Sequence, residues 1–251
     1  MFELIKKIIN HDTWKTMAFF MIVLVVYGIF VLDVTYQNVI FISLAILLGL
    51  VFDYVLHVAQ KTGRKRFPTS GLISSLIIVV LLPPGVTFIP LLVSILTAIA
   101  SKHFLIYKNR HIFNPAAVGA IVAVFAFDLP LAWWPDAYIW LTILLGIFIA
   151  WRVKKFLQVG AFFLIYVLFF VVRGDLPVLD SSIFYLIPWF FGLFMLAEPM
   201  TSPAGKNKEI IFGITVGVLV WVFSSLPFFG FAPLVMALLG GNILKIFLMK
   251  V

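Results

Sequence analysis

The chain contains no cysteine. Disulfides, thiolate metal sites and iron–sulfur ligation by its own side chains are therefore excluded. Charge is scarce as well: Asp, Glu, Lys and Arg make up 11% of the 251 residues, and the acidic ones number only 10 against 18 basic. A soluble fold of this length would have too few polar side chains to cover its surface. No Gly-x-Gly-x-x-Gly segment occurs, so NADH chemistry would need a separate reductase. Connections between apolar runs are short and leave no room for a soluble domain. The start, Met1-Phe2-Glu3-Leu4-Ile5-Lys6-Lys7, is too polar for a signal peptide and no small-residue cleavage site follows, so the first apolar run is expected to stay in the mature protein.

What is present is apolar. Hydrophobic residues make up 64% of the chain, with 28 phenylalanines and 7 tryptophans suited to lipid contact and interfacial anchoring. The expectation is an all-α integral membrane protein whose main partner is the lipid bilayer. Runs able to cross about 30 Å of hydrocarbon lie near 14–32, 36–58, 68–82, 86–107, 114–129, 137–153, 157–173, 181–198, 209–225 and 231–249, several of them short. Placing the 18 basic residues on this alternating map puts all but Arg173 on one side. The other side carries Asp33, Asp128, Asp136, Asp175 and Asp180. By the positive-inside rule both termini are cytoplasmic, in a multi-pass protein of the cytoplasmic (inner) membrane. The net charge of +8 thus has a topological explanation and does not call for nucleic acid.

Two of the short runs end at proline in matching places. Ser70-Gly71-Leu72-Ile73-Ser74-Ser75 leads to Leu82-Pro83-Pro84-Gly85, and the run from Ser181 ends at Glu198-Pro199-Met200-Thr201-Ser202-Pro203. A spanning helix that stops early leaves backbone groups without helical partners at membrane depth, which is tolerated only where they face protein, ligand or water. If residues 1–135 and 136–251 form two five-span repeats of a single membrane domain, the broken third and eighth spans correspond. Phe113-Asn114-Pro115 and Phe231-Ala232-Pro233 then open the fifth and tenth. Five is odd, so the second repeat enters upside down, an arrangement that places a site between the halves. Proline in a first helical turn also accounts for the two Phe-x-Pro starts without any repeat.

These residues carry a family resemblance. The Ser70–Ser75 stretch, Pro83-Pro84, Lys102 and Asn109 to Asn114-Pro115-Ala116 resemble the D subunit of Rnf electron-transport complexes and the B subunit of sodium-translocating NADH:quinone reductase. Met195-Leu196-Ala197-Glu198-Pro199-Met200-Thr201-Ser202-Pro203, followed by Ile210-Ile211-Phe212-Gly213, is similar to that family's (Thr/Ala)-(Asp/Glu)-Pro-Val-Thr segment. The resemblance implies ten helices in two inverted repeats, like urea transporters, and a membrane subunit that carries flavin and passes electrons, with possible coupling to Na⁺ or H⁺. One departure is large. The family tethers FMN to a threonine in a Ser-x-Ala-Thr motif before the eighth-span break, where this chain has Tyr185-Leu186-Ile187-Pro188. Covalent FMN is therefore not expected; a non-covalent flavin, riboflavin or FMN, is.

A flavin needs an apolar or aromatic slot, donors and acceptors for its pyrimidine edge, and positive charge near N1 and O2. The candidate contacts are Asn114, Phe113, Lys102, Ser74, Glu198, Thr201 and Ser202. Asn114 is equally a good helix N-cap, and Lys102 equally a basic anchor ending the fourth span. Glu198, a carboxylate flanked by apolar sequence, could bind a flavin, a proton or Na⁺, or cap local backbone. Asp53 and His57, four apart, could pair on one helical face. No metal site is expected, and haem is disfavoured because all four histidines lie toward one side. Two function classes follow. One is an electron-transfer subunit working with a reductase, other redox subunits or quinone; the other is a transporter or channel for a small polar solute or flavin.

Overall fold

The computed structural model describes residues 12–60, 69–108, 110–173, 183–227 and 232–248. Asn109, Ser181 and Phe231 of the motifs above lie outside these, as do Asp175 and Asp180. The helices are α1 (Thr13–Val31), α2 (Tyr36–Ala59), α3 (Thr69–Leu81), α4 (Phe88–Phe104), α5 (Pro115–Phe127), α6 (Ile139–Arg152), α7 (Phe156–Arg173), the single turn α8 (Ile183–Leu186), α9 (Lys206–Ser224) and α10 (Pro233–Leu248). A two-residue hairpin, β1 (Ile106–Tyr107) and β2 (Arg110–His111), joins α4 to α5. Stretches Thr13–Val31, Tyr36–Ala59, Trp134–Arg152, Phe156–Arg173 and Lys206–Ser224 are each long and apolar enough to cross a membrane. The chain is a multi-pass helical membrane protein.

Local chemistry sets the helix ends. Asp12 caps α1 by accepting the Trp14 N–H at 3.0 Å. Asn114 caps α5 by accepting the Ala117 N–H at 3.0 Å, with Pro115 in the first turn where its missing N–H is harmless. Asp128 ends α5 in the left-handed conformation. α3 has 13 residues, about 20 Å at 1.5 Å per residue, and stops at Leu81 before Pro83-Pro84. The eighth segment is interrupted twice: α8 ends before Pro188, and a π-helix over Phe191–Leu196 then runs to the Glu198-Pro199 break. The internal interruption at Pro188 is an addition to the expected single break. It follows from the missing proline N–H, and Asp136 accepts the Phe190 N–H that opens the next turn, at 3.3 Å.

The broken elements are the innermost. Every residue from 73 to 82 and from 191 to 196 is buried. Around them α1 packs on α3 and α6, α4 lies between α2 and α5, and α9 lies between α7 and α10. α2 and α7 are the most open to their surroundings, with exposed apolar side chains such as Leu47, Val51, Leu164 and Val172 that suit lipid. Without a water-driven hydrophobic force inside a bilayer, helices associate by close packing and small residues. At Gly119 of α5 an added Cβ would overlap the Ser94 carbonyl of α4, and at Gly213 of α9 it would overlap the Gln158 carbonyl of α7. We expect Gly119→Val and Gly213→Val each to cost about 1–3 kcal/mol, read as a lowered Tm of the detergent-solubilised protein. An unchanged Tm in both would mean that these helix pairs do not approach so closely.

Candidate functional site

A helix that stops inside an apolar bundle exposes carbonyls, and a buried one without a donor costs about 1–3 kcal/mol. At the first break the four carbonyls from Leu81 to Pro84 are met, three of them by donors from distant segments. Leu81 O accepts the Ala132 N–H at 2.8 Å, Leu82 O the Trp134 indole N–H at 2.6 Å, Pro83 O the Val86 N–H at 3.0 Å and Pro84 O the Asn38 amide at 3.0 Å. Trp134, 2% exposed, both packs in the core and caps this break.

At the second break most donors are side chains, drawn from three separate segments. Met195 O accepts from Asn114 Nδ2 at 3.3 Å, Leu196 O from Gln158 Nε2 at 2.6 Å and Thr201 O from Asn242 Nδ2 at 3.0 Å. Met200 O accepts from Lys245 Nζ at 3.1 Å, and Pro203 O from Lys155 Nζ. Lys245 also reaches His111 O at 2.6 Å, and Lys155 is neutralised by Glu209 at 3.0 Å. Asn242 Oδ1 accepts the Asn114 N–H at 2.8 Å, tying the start of α5 to the interior of α10 beside the break. The Glu198 carboxylate accepts from Asn114 Nδ2 at 2.9 Å and Thr201 Oγ1 at 2.8 Å, both on Oε2.

Beside the break lies a second polar cluster. Asp53 of α2 is held from α4 by Lys102 at 2.8 Å and His103 at 2.7 Å. The bonds on this carboxylate thus come from another helix, although the four-residue spacing on α2 pointed to His57. Lys102 is 5% exposed, so the reading of it as a basic anchor at the end of the fourth span is overturned: α2 covers it and supplies its counter-charge. His111 Nδ1–H donates to the Lys102 carbonyl at 3.0 Å. Burial, then the neighbouring Lys102 charge, pull the His111 imidazole down to about 4 from 6.5.

Two spaces adjoin these groups. A cleft of about 450 Å³ is bordered by Trp14, Tyr54, His57, Ser70, Lys102 and His111, among others. Trp14 and Ser70 also border a space of about 10 Å³ that reaches Ser74, Asn114 and Glu198. The structure therefore brings Asn114, Ser74, Glu198 and Thr201 together and places Lys102 on the adjoining cleft. Phe113 is half-buried and does not line the narrow space. Ser202 is buried, and its hydroxyl has no partner among the described residues. Both Asn114 amide N–H groups are engaged, so donation to a flavin acceptor would require opening one of those bonds. Gln158, Asn242, Lys245, Lys155 and Glu209 were not anticipated as site residues. Their signal was available, since an amide or ammonium inside an apolar helix needs a partner. Compared with models of known protein families and with characterised proteins, the chain matches none.

Replacing Asn114 by Leu should cost about 3 kcal/mol or more, because Glu198, Met195 O and the Ala117 N–H each lose a partner; thermal unfolding measures this, and a near-wild-type Tm would remove Asn114 from its central place. The second expectation concerns pH. His111 stays neutral in the fold down to about 4, whereas unfolded it protonates below 6.5. Its contribution is complete above 6.5 and is lost as the pH falls toward 4, by at most about 3 kcal/mol. Tm should thus fall more steeply over that window in wild type than in His111→Gln; equal slopes would show that burial does not perturb this imidazole.

Proposed function

We propose that the chain is a ten-span protein of two inverted five-helix repeats that holds a flavin non-covalently and carries electrons within the membrane. The packing supports the repeat. Pairing the helices one to six, two to seven, three to eight, four to nine and five to ten, the contacts α4–α5, α2–α4 and α1–α3 find counterparts in α9–α10, α7–α9 and α6 with the π-helix. The contacts between halves, α1–α6 and α5–α10, join corresponding helices, as a two-fold relation in the membrane plane requires. The basic residues distributed over the loops orient both termini to the cytoplasm.

The observation that carries the flavin reading is the 450 Å³ cleft, a volume typical of small-molecule sites. Trp14 and Tyr54 offer aromatic faces there. Lys102, fixed by Asp53, offers positive charge, and Ser70 and His111 offer polar groups for a heteroatom edge. Asn114, Ser74, Glu198 and Thr201 form the layer behind. A flavin held here supplies one- and two-electron transfer, while the protein positions it and excludes water from its inner side. The resemblance to the Rnf and NADH:quinone reductase subunits supplies the electron-carrier role, with a separate reductase, other redox subunits and quinone as its partners. The narrowing from the cleft toward the interface between the repeats favours a second reading, a transporter of a small polar solute or of flavin.

Purified protein incubated with riboflavin or FMN should show a flavin absorption spectrum that acid releases, and Lys102→Met should weaken flavin binding at least tenfold. A folded protein that stays colourless and does not quench flavin fluorescence would refute the electron carrier. Uptake of riboflavin or urea by proteoliposomes, with no retained flavin, would favour transport.

A further inference from the structure

We propose that Glu198 is a proton-binding site that exchanges with the cleft through a passage one water wide. The argument starts from the carboxylate. Its hydrogen bonds come from two neutral groups, the Asn114 amide and the Thr201 hydroxyl, and both fall on Oε2. Oε1 has no hydrogen bond among the described residues, and none of them forms an ion pair with Glu198. The residue borders the 10 Å³ space, which is about the room one water occupies. Ser70, Ser74 and Asn114 border the same space and give a water there the polar neighbours it needs. Ser70 and Trp14 border the cleft as well, so the proposed passage runs between them and they are its neck.

The surrounding charges are committed elsewhere. From α10, Lys245 is spent on the carbonyls of His111 and Met200. From α4, Lys102 and His103 are bound to Asp53 of α2. His111 on β2 lines the cleft with its Nδ1–H on a carbonyl, and Asp12 at the start of α1 lies at the cleft as well. α3 and α5 carry no titratable side chain. Lys102 and Lys245 therefore influence Glu198 by charge alone, and no salt bridge locks it as an anion. Protonation transfers H⁺ from hydronium in the cleft to Oε1, leaving water; no other bond changes, and release is the reverse. The Asn114 and Thr201 bonds on Oε2 survive in both states, so the break keeps its shape as the charge comes and goes. This site stands on the space and the carboxylate and is independent of what the cleft binds.

The chain has three glutamates, Glu3, Glu198 and Glu209, which makes isotope labelling decisive. Infrared spectra of the full-length protein with ¹³C-carboxyl glutamate, recorded across pH, should show a protonated-carboxyl stretching band that shifts with the label and is lost in Glu198→Gln. Hydrogen–deuterium exchange of that band should be several-fold slower in Ser70→Leu, whose side chain fills the neck. A labelled band that persists in Glu198→Gln, or the absence of any labelled band that titrates, would overturn the proposal. Equal exchange rates in wild type and Ser70→Leu would overturn the passage. If Glu198→Gln does not fold, the Ser70→Leu comparison on labelled wild-type background still decides, because Glu209, paired to Lys155, does not border the neck.

Discussion

Much of what is polar inside this protein follows from one requirement: two chain segments stop being helical inside an apolar bundle, and their carbonyls must find donors there. The first break meets it with two backbone N–H groups, an indole and an amide, of which only the Val86 N–H is local in sequence. The second has fewer backbone donors, because Pro199 and Pro203 lack N–H groups, although the Ser202 N–H reaches Glu198 O at 3.1 Å. Its carbonyls are met by Asn114, Gln158, Asn242, Lys245 and Lys155. Bringing ammonium groups into such a place costs several kcal/mol each unless they are paired or well bonded. Glu209 is there for Lys155, and Lys245 carries two carbonyls at once. One interruption of a helix thus accounts for most of the buried polar residues in the second half.

This division of labour bears on function. Donors aimed at carbonyls are not free to bind a ligand, so the polar residues nearest the break hold the fold. Room beyond that network lies in the adjacent cleft, which both Asp53 and Lys102 border. Glu198 stands between the two systems. It helps to anchor Asn114 and Thr201, yet keeps one oxygen outside that network. A carboxylate placed this way can change charge without releasing the segment it stabilises, as long as its two hydrogen bonds remain on the other oxygen.

Much of this was legible in the sequence. The helices begin and end within a few residues of the apolar runs, because the cost of exposing polar backbone to hydrocarbon acts on each run separately, whatever its neighbours. Asn114 before Pro115 read correctly as a cap, since a cap is a contact with the next turn. Lys102 was harder. A lysine near the end of an apolar run reads as a surface anchor, and only the approach of α2 to α4 reveals Asp53 beside it. Asp53 and His57 showed the same limit from the other side: spacing along one helix says which residues are neighbours and nothing about which helix packs against them.

Composition and apolar run length by themselves determined that the chain is helical and lives in a bilayer, and the prolines determined where the two broken segments stop, because these are properties of single segments in a given solvent. The partners of the broken backbone were decided only by tertiary structure. Asn242 reaches Asn114 across 128 residues of chain, and no local rule selects one amide among many for that bond. Packing selects it, because when the helices close around the two breaks, each carbonyl takes the donor that geometry leaves within 3 Å or so.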